Sequence, residues 1–67
     1  MISLTPITTA DDQRYAQSAA LAVYLGRAEQ ESIAVLRATD PRAAASHCTM
    51  AKHYSAKAIA LLEAAAS

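Results

Sequence analysis

The chain has no Phe and no Trp, and Tyr15, Tyr24 and Tyr54 are the only tyrosines among its 67 residues. It therefore lacks most of the large rings that dominate the cores of small domains. A single cysteine, Cys48, excludes an internal disulfide and suits a reducing compartment. One glycine (Gly26) and two prolines (Pro6 and Pro41) leave few backbone breaks. Six basic and six acidic residues give a formal net charge of zero. There is no concentrated basic stripe of the kind that binds nucleic acid, so no nucleic-acid partner is expected. The longest uncharged apolar run, "AALAVYLG" at 19–26, falls far short of the ~20 residues that span a bilayer, so no membrane partner is expected either. "MISLTPITTADD" has neither a positive leading segment nor a long apolar stretch, so it does not read as a signal peptide. The expected location is cytoplasmic.

What is abundant is alanine, at 18 of 67 residues, within a hydrophobic fraction of 54%. That fraction overstates the core, because alanine buries little area. One domain is the most a chain of this length holds. Chains this short bury only about 60% of the surface exposed on unfolding. Small scaffolds therefore lean on disulfides, a metal or an oligomeric partner. With disulfides excluded, an oligomer or a complex is the leading expectation. The halves differ mildly in charge: residues 1–40 carry −2 and residues 41–67 carry +2, which favours their packing together.

The pattern predicts an all-α antiparallel helical hairpin of two long helices that pairs into a four-helix bundle. "SLTPIT" favours an extended arm over 1–8. Thr9 is a suitable N-cap, and Asp11 and Asp12 fall in the first turn, where the helix dipole favours negative charge. Helix formers then run to Ala38, giving a first helix over about 9–38. "ATDPRAAA" marks the break at 39–41, since Asp40 can cap a new helix and Pro41 fits its first position. The second helix runs over about 41–65, completing the hairpin unit at 9–67. Gly26 could end the first helix, but no loop residues accompany it. The alternative is an interior glycine that lets another backbone come close.

At 100° per residue the second helix is amphipathic. His47, Ala51, Tyr54, Ala58, Leu61, Leu62 and Ala65 form one stripe, and Arg42, Thr49, Lys52, His53 and Glu63 lie opposite. The first helix is apolar on more than one side. Tyr15, Ala22, Leu25, Ile33 and Leu36 make a stripe expected to face the second helix. Ala20, Val23, Tyr24, Ala34 and Val35 fall largely outside it and are expected to meet another chain. Tyrosine is enriched at interface hot spots, which singles out Tyr24.

"SHCTMAKHYSAK" at 46–57 gathers most of the chemically reactive side chains. On a helix, however, ligands converge at spacings of three or four. His47 and His53 are six apart and point about 120° from one another, while Cys48 and His53 diverge by about 140°. No second Cys/His cluster completes a tetrahedral site. Cys48 lacks a base with an orienting acid, and Ser46 and His47 are adjacent rather than paired. No metal, cofactor or catalytic residue is expected. His47 lies within the apolar stripe, one heptad before Tyr54. These two make a candidate pH-sensitive seam, because charging a buried imidazole is costly and should loosen the packing.

The expected function is a small non-enzymatic interaction module, a regulator, inhibitor or adaptor, acting as a homodimer on a protein partner. The alternative is an obligate subunit or co-chaperone whose first helix is covered by a different protein. In size and two-helix layout the chain resembles the small co-chaperone subunits of type III secretion needle systems, hairpins of similar length that bind a helical-repeat partner. That resemblance is architectural, spans most of the chain and assigns no residue.

Overall fold

The computed structural model describes residues 10–66. The arm expected over 1–8 and the cap expected at Thr9 lie outside the described residues. Two helices account for nearly all the rest: α1, Ala10–Arg37, and α2, Pro41–Ala66. No strand occurs among the described residues. At 28 and 26 residues the helices are about 42 and 39 Å long. The smallest principal extent of the Cα positions, 12 Å, is the thickness of one layer of helices.

The break between the helices follows from local chemistry. α1 ends on Arg37, a cation against the negative end of the helix dipole. The Ala38 amide then donates to the Val35 carbonyl at 3.3 Å, tightening the last turn. Asp40 caps α2: its Oδ1 accepts from the Arg42 amide at 3.0 Å, and its carbonyl accepts from the Ala44 amide at 3.0 Å. Pro41 lies at the first helical position, where its missing N–H costs nothing. Within the helices, Ser32 Oγ and Thr49 Oγ1 donate to the carbonyls of Ala28 and Ala45, four residues earlier, at 2.7 and 3.1 Å. Each hydroxyl is thus satisfied locally.

α1 runs through Gly26 without a break, and Gly26 keeps negative φ. A β-carbon added there would meet nothing within 4 Å. The close backbone approach expected at Gly26 is therefore not made by α2.

The helices meet along a seam with heptad spacing, the pattern of antiparallel coiled packing. On the α1 side Gln17, Leu21, Tyr24, Glu31 and Val35 are half-buried, and Ala38 extends this line past the helix end. Ala28 is the most buried α1 residue, at 8% exposure. On α2 the line is Ala44, His47, Ala51, Tyr54 and Leu61, all half-buried, with Ala58 at 1% exposure; Leu62 and Ala65, expected in the same stripe, are exposed instead, because the heptad line continues through Leu61. Ala28 and Ala58 are the only buried hydrophobic residues among those described. The seam is narrow because alanine lets the helices approach closely, and for the same reason it buries little area.

Here the structure corrects the face assignment of α1. The stripe of Tyr15, Ala22, Leu25, Ile33 and Leu36, expected to face α2, points outward: Tyr15 is 79% and Leu36 86% exposed, Leu25 50% and Ile33 40%. Tyr24 and Val35, expected outside the stripe, lie in the seam. The physical reason is complementarity. The α2 stripe carries His47 and Tyr54, and only the Gln17–Val35 line offers Glu31 and Tyr24 at the matching spacing.

Candidate interaction surface

The side chains of 46–57 resolve into two sets. His47 faces α1, where its Nδ1 lies 2.6 Å from Glu31 Oε2. Both groups keep solvent contact, with side-chain exposures of 41% for His47 and 26% for Glu31. Tyr54 stacks on Tyr24 with ring centroids 6.5 Å apart and planes 26° apart. These two cross-seam pairs are one heptad apart on each helix and run in opposite directions, which fixes the antiparallel register. Lys57 Nζ sits 5.4 Å from the Tyr24 ring centroid, a cation over an aromatic face. The His53 ring meets the edge of Tyr54 at 5.7 Å between centroids. Cys48 is a half-buried free thiol.

His47 and His53 thus serve different surroundings, and among the described residues no group of three or more His, Cys, Asp or Glu side chains converges as metal ligands would. Glu31 was not singled out from the sequence. Its signal was its position one heptad after Tyr24, mirroring His47 one heptad before Tyr54. Its presence also alters what charging His47 would do. The expected loosening assumed an imidazolium with no counter-charge, whereas a carboxylate lies within hydrogen-bonding distance. Protonation of His47 would place opposite charges together rather than strand one.

The residues expected to meet another chain are distributed across two environments. Tyr24 and Val35 are half-buried in the intramolecular seam, and Ala20 and Ala34 are half-buried along its edge. Val23 is 58% exposed and, with Ala22, Gly26, Arg27 and Gln30, lines a shallow depression on the outer side of α1. Elsewhere along the same helix stand the exposed side chains of Tyr15, Leu25, Ile33 and Leu36. The exposed surface of α2 is mixed: Arg42, Thr49, Lys52, His53 and Glu63 lie among alanines, but Ile59 and Leu62 are also exposed, at 54% and 52%.

No helix among the described residues is long and apolar enough to cross a membrane. Comparison with protein-family models, with curated proteins and with solved structures finds no match to this chain. The class defined by the coordinates is therefore the fold itself, an all-α helical hairpin that leaves large apolar side chains of both helices uncovered, most of them on α1.

Proposed function

We propose that this chain is a small non-enzymatic protein–protein interaction module, a regulator, inhibitor or adaptor, that acts as a homodimer of helical hairpins. The observation that carries this reading is the exposed stripe of α1, Tyr15, Leu25, Ile33 and Leu36, beside a seam that buries only two alanines. Fully burying a side chain of this size contributes about 1.5–3 kcal/mol. Covering four such residues at their present exposures, on two copies, yields a gross gain of about 10 kcal/mol. Association itself costs roughly 4–15 kcal/mol. At the low end of that cost the surplus is about 6 kcal/mol, a weak and reversible dimer with a dissociation constant of tens of micromolar, leaving the α2 surface free for a target.

Sedimentation equilibrium on the purified full chain tests this. The expected result is a dimer whose unfolding is cooperative and whose melting temperature rises with protein concentration. A stably folded monomer at 100 μM would overturn the reading. A molten or aggregating monomer would instead favour an obligate subunit, in which a different protein covers α1.

A further inference from the structure

Resting on the homodimer reading, we infer that the second copy packs its own α1 antiparallel against this α1, about a two-fold axis passing between Ala22 and Gly26. Three features of the exposed face converge on this arrangement.

The first is the size profile along the stripe. Its large residues are Tyr15 at one end, Leu25 near the middle, and Ile33 and Leu36 at the other end. Between them lie the small residues Ala19, Ala22 and Gly26. Turning a second copy end for end about the Ala22–Gly26 midpoint sets Tyr15 against the partner's Ile33, Leu25 against the partner's Val23, and Ala22 against the partner's Gly26. Large residues then meet large ones, and the small Ala22 and Gly26 let the backbones approach on the side of the axis where they lie. The open space around Gly26 is where that approach occurs, since nothing in this chain lies within 4 Å of an added β-carbon. A glycine interior to a helix costs about 1 kcal/mol relative to alanine, and within one chain nothing offsets that cost.

The second is charge. Glu29 projects from the middle of the same face. A parallel pairing would bring it against the partner's Glu29, a like-charge contact within the interface. The antiparallel pairing moves the two glutamates apart along the axis and puts each opposite the partner's Ala19, beside which a carboxylate can reach water. The ends of α1 are also complementary: Asp12 lies in its first turn and it closes on Arg37. Antiparallel pairing brings the acidic end of each copy to the basic end of the other, with the helix dipoles opposed.

The third is the direction of the face. Counted at 100° per residue, the stripe lies roughly 140° around α1 from the seam with α2. The paired α1 helices then occupy the centre and the α2 helices the flanks, in an open four-helix layer with both polar α2 faces outward.

The test combines a distance with a substitution. A nitroxide is placed on Thr39→Cys, an exposed turn position outside the proposed contacts, in a full-length Cys48→Ser background. Electron–electron double resonance should read about 45 Å between labels for the antiparallel pair, and less than about 20 Å for a parallel one. Gly26→Leu should raise the dimer dissociation constant at least about 10-fold, through overpacking at the point of closest approach, with helicity by circular dichroism unchanged. Ala56→Leu, on the outer side of α2, should leave it within about twofold. A wild-type monomer would overturn the homodimer reading and this inference with it. A dimer with the short label distance, or one indifferent to Gly26→Leu, would overturn the α1 pairing alone and leave the homodimer standing.

Discussion

α1 and α2 share one seam and differ in everything behind it. α2 is apolar toward α1 and largely polar behind, with Arg42, Lys52, His53 and Glu63 in water among exposed alanines and the more isolated Ile59 and Leu62. α1 is apolar in front and behind, with Leu21, Tyr24 and Val35 in the seam and Tyr15, Leu25, Ile33 and Leu36 behind. An amphipathic helix such as α2 is complete once one partner covers its stripe. A helix with two apolar faces is complete only with two partners, and this chain supplies one. The seam also shows that size does not decide which face is used internally. Ala28, Tyr24 and Glu31 face α2 while Leu25, Ile33 and Leu36 do not, because the facing alanines of α2 require small residues and its His47 and Tyr54 require matched partners.

The largest expected effect comes from breaking what the helices share. Ala58, at 1% exposure, has no room for a longer side chain. Ala58→Leu should destabilise the hairpin by about 3 kcal/mol through overpacking. Ala60→Leu, two residues on and exposed, should change stability by less than about 0.5 kcal/mol. Thermal denaturation followed by circular dichroism compares the two, and equal effects would mean the alanine seam is not the packing core.

Next in size is a change on the face the helices do not share. Ile33→Asp should raise the dimer dissociation constant about 30-fold, since a loss near 1 kcal/mol per copy is doubled in a symmetric dimer. Lys52→Asp, behind α2, should leave it nearly unchanged. Sedimentation equilibrium reads both. Equal effects would show that the two outer faces do not differ in the way their compositions imply.

How far this contrast could be read from the sequence differs between the helices. The two-helix layout was readable because Asp40 and Pro41 are local signals whose physics needs no tertiary context. Most of the α2 stripe was readable, from His47 to Leu61, because that side of the helix is the more apolar one; Leu62 and Ala65, counted with it, are exposed. For α1, ranking faces by hydrophobicity selected Tyr15, Leu25, Ile33 and Leu36, and the structure turns these outward. Facing is a property of two helices in register, and one helix's periodicity does not contain it. The Glu31–His47 and Tyr24–Tyr54 pairs emerge only when both helices are aligned antiparallel. Gly26 shows the same limit: its suitability for close approach was visible, but the absence of α2 from its surroundings was not.

A smaller effect should follow from the stacked tyrosines. Tyr24→Leu keeps an apolar side chain in the seam but removes both the stack on Tyr54 and the ring beneath Lys57. The expected loss is about 1 kcal/mol, the scale of an aromatic pair beyond its area. It should appear in hairpin stability measured at a concentration where the association state is unchanged. A shift confined to the dimer dissociation constant would return Tyr24 to an intermolecular role.

The smallest expected effect concerns the pair that most resembles chemistry. At 2.6 Å the His47–Glu31 contact is short, but both side chains remain partly in water. Solvent screening limits such pairs to about 0–1 kcal/mol. A double-mutant cycle with Glu31→Gln and His47→Gln, read as unfolding free energy, should therefore give a coupling of about 0.5 kcal/mol that shrinks in high salt. Specificity of register is a separate matter from this energy. Sliding α2 by one heptad would preserve many alanine contacts but would part His47 from Glu31 and Tyr54 from Tyr24 together. A coupling above about 2 kcal/mol would instead show the pair to be far better shielded than its exposure indicates, and would place the dominant interhelical term in charge rather than in the alanine seam.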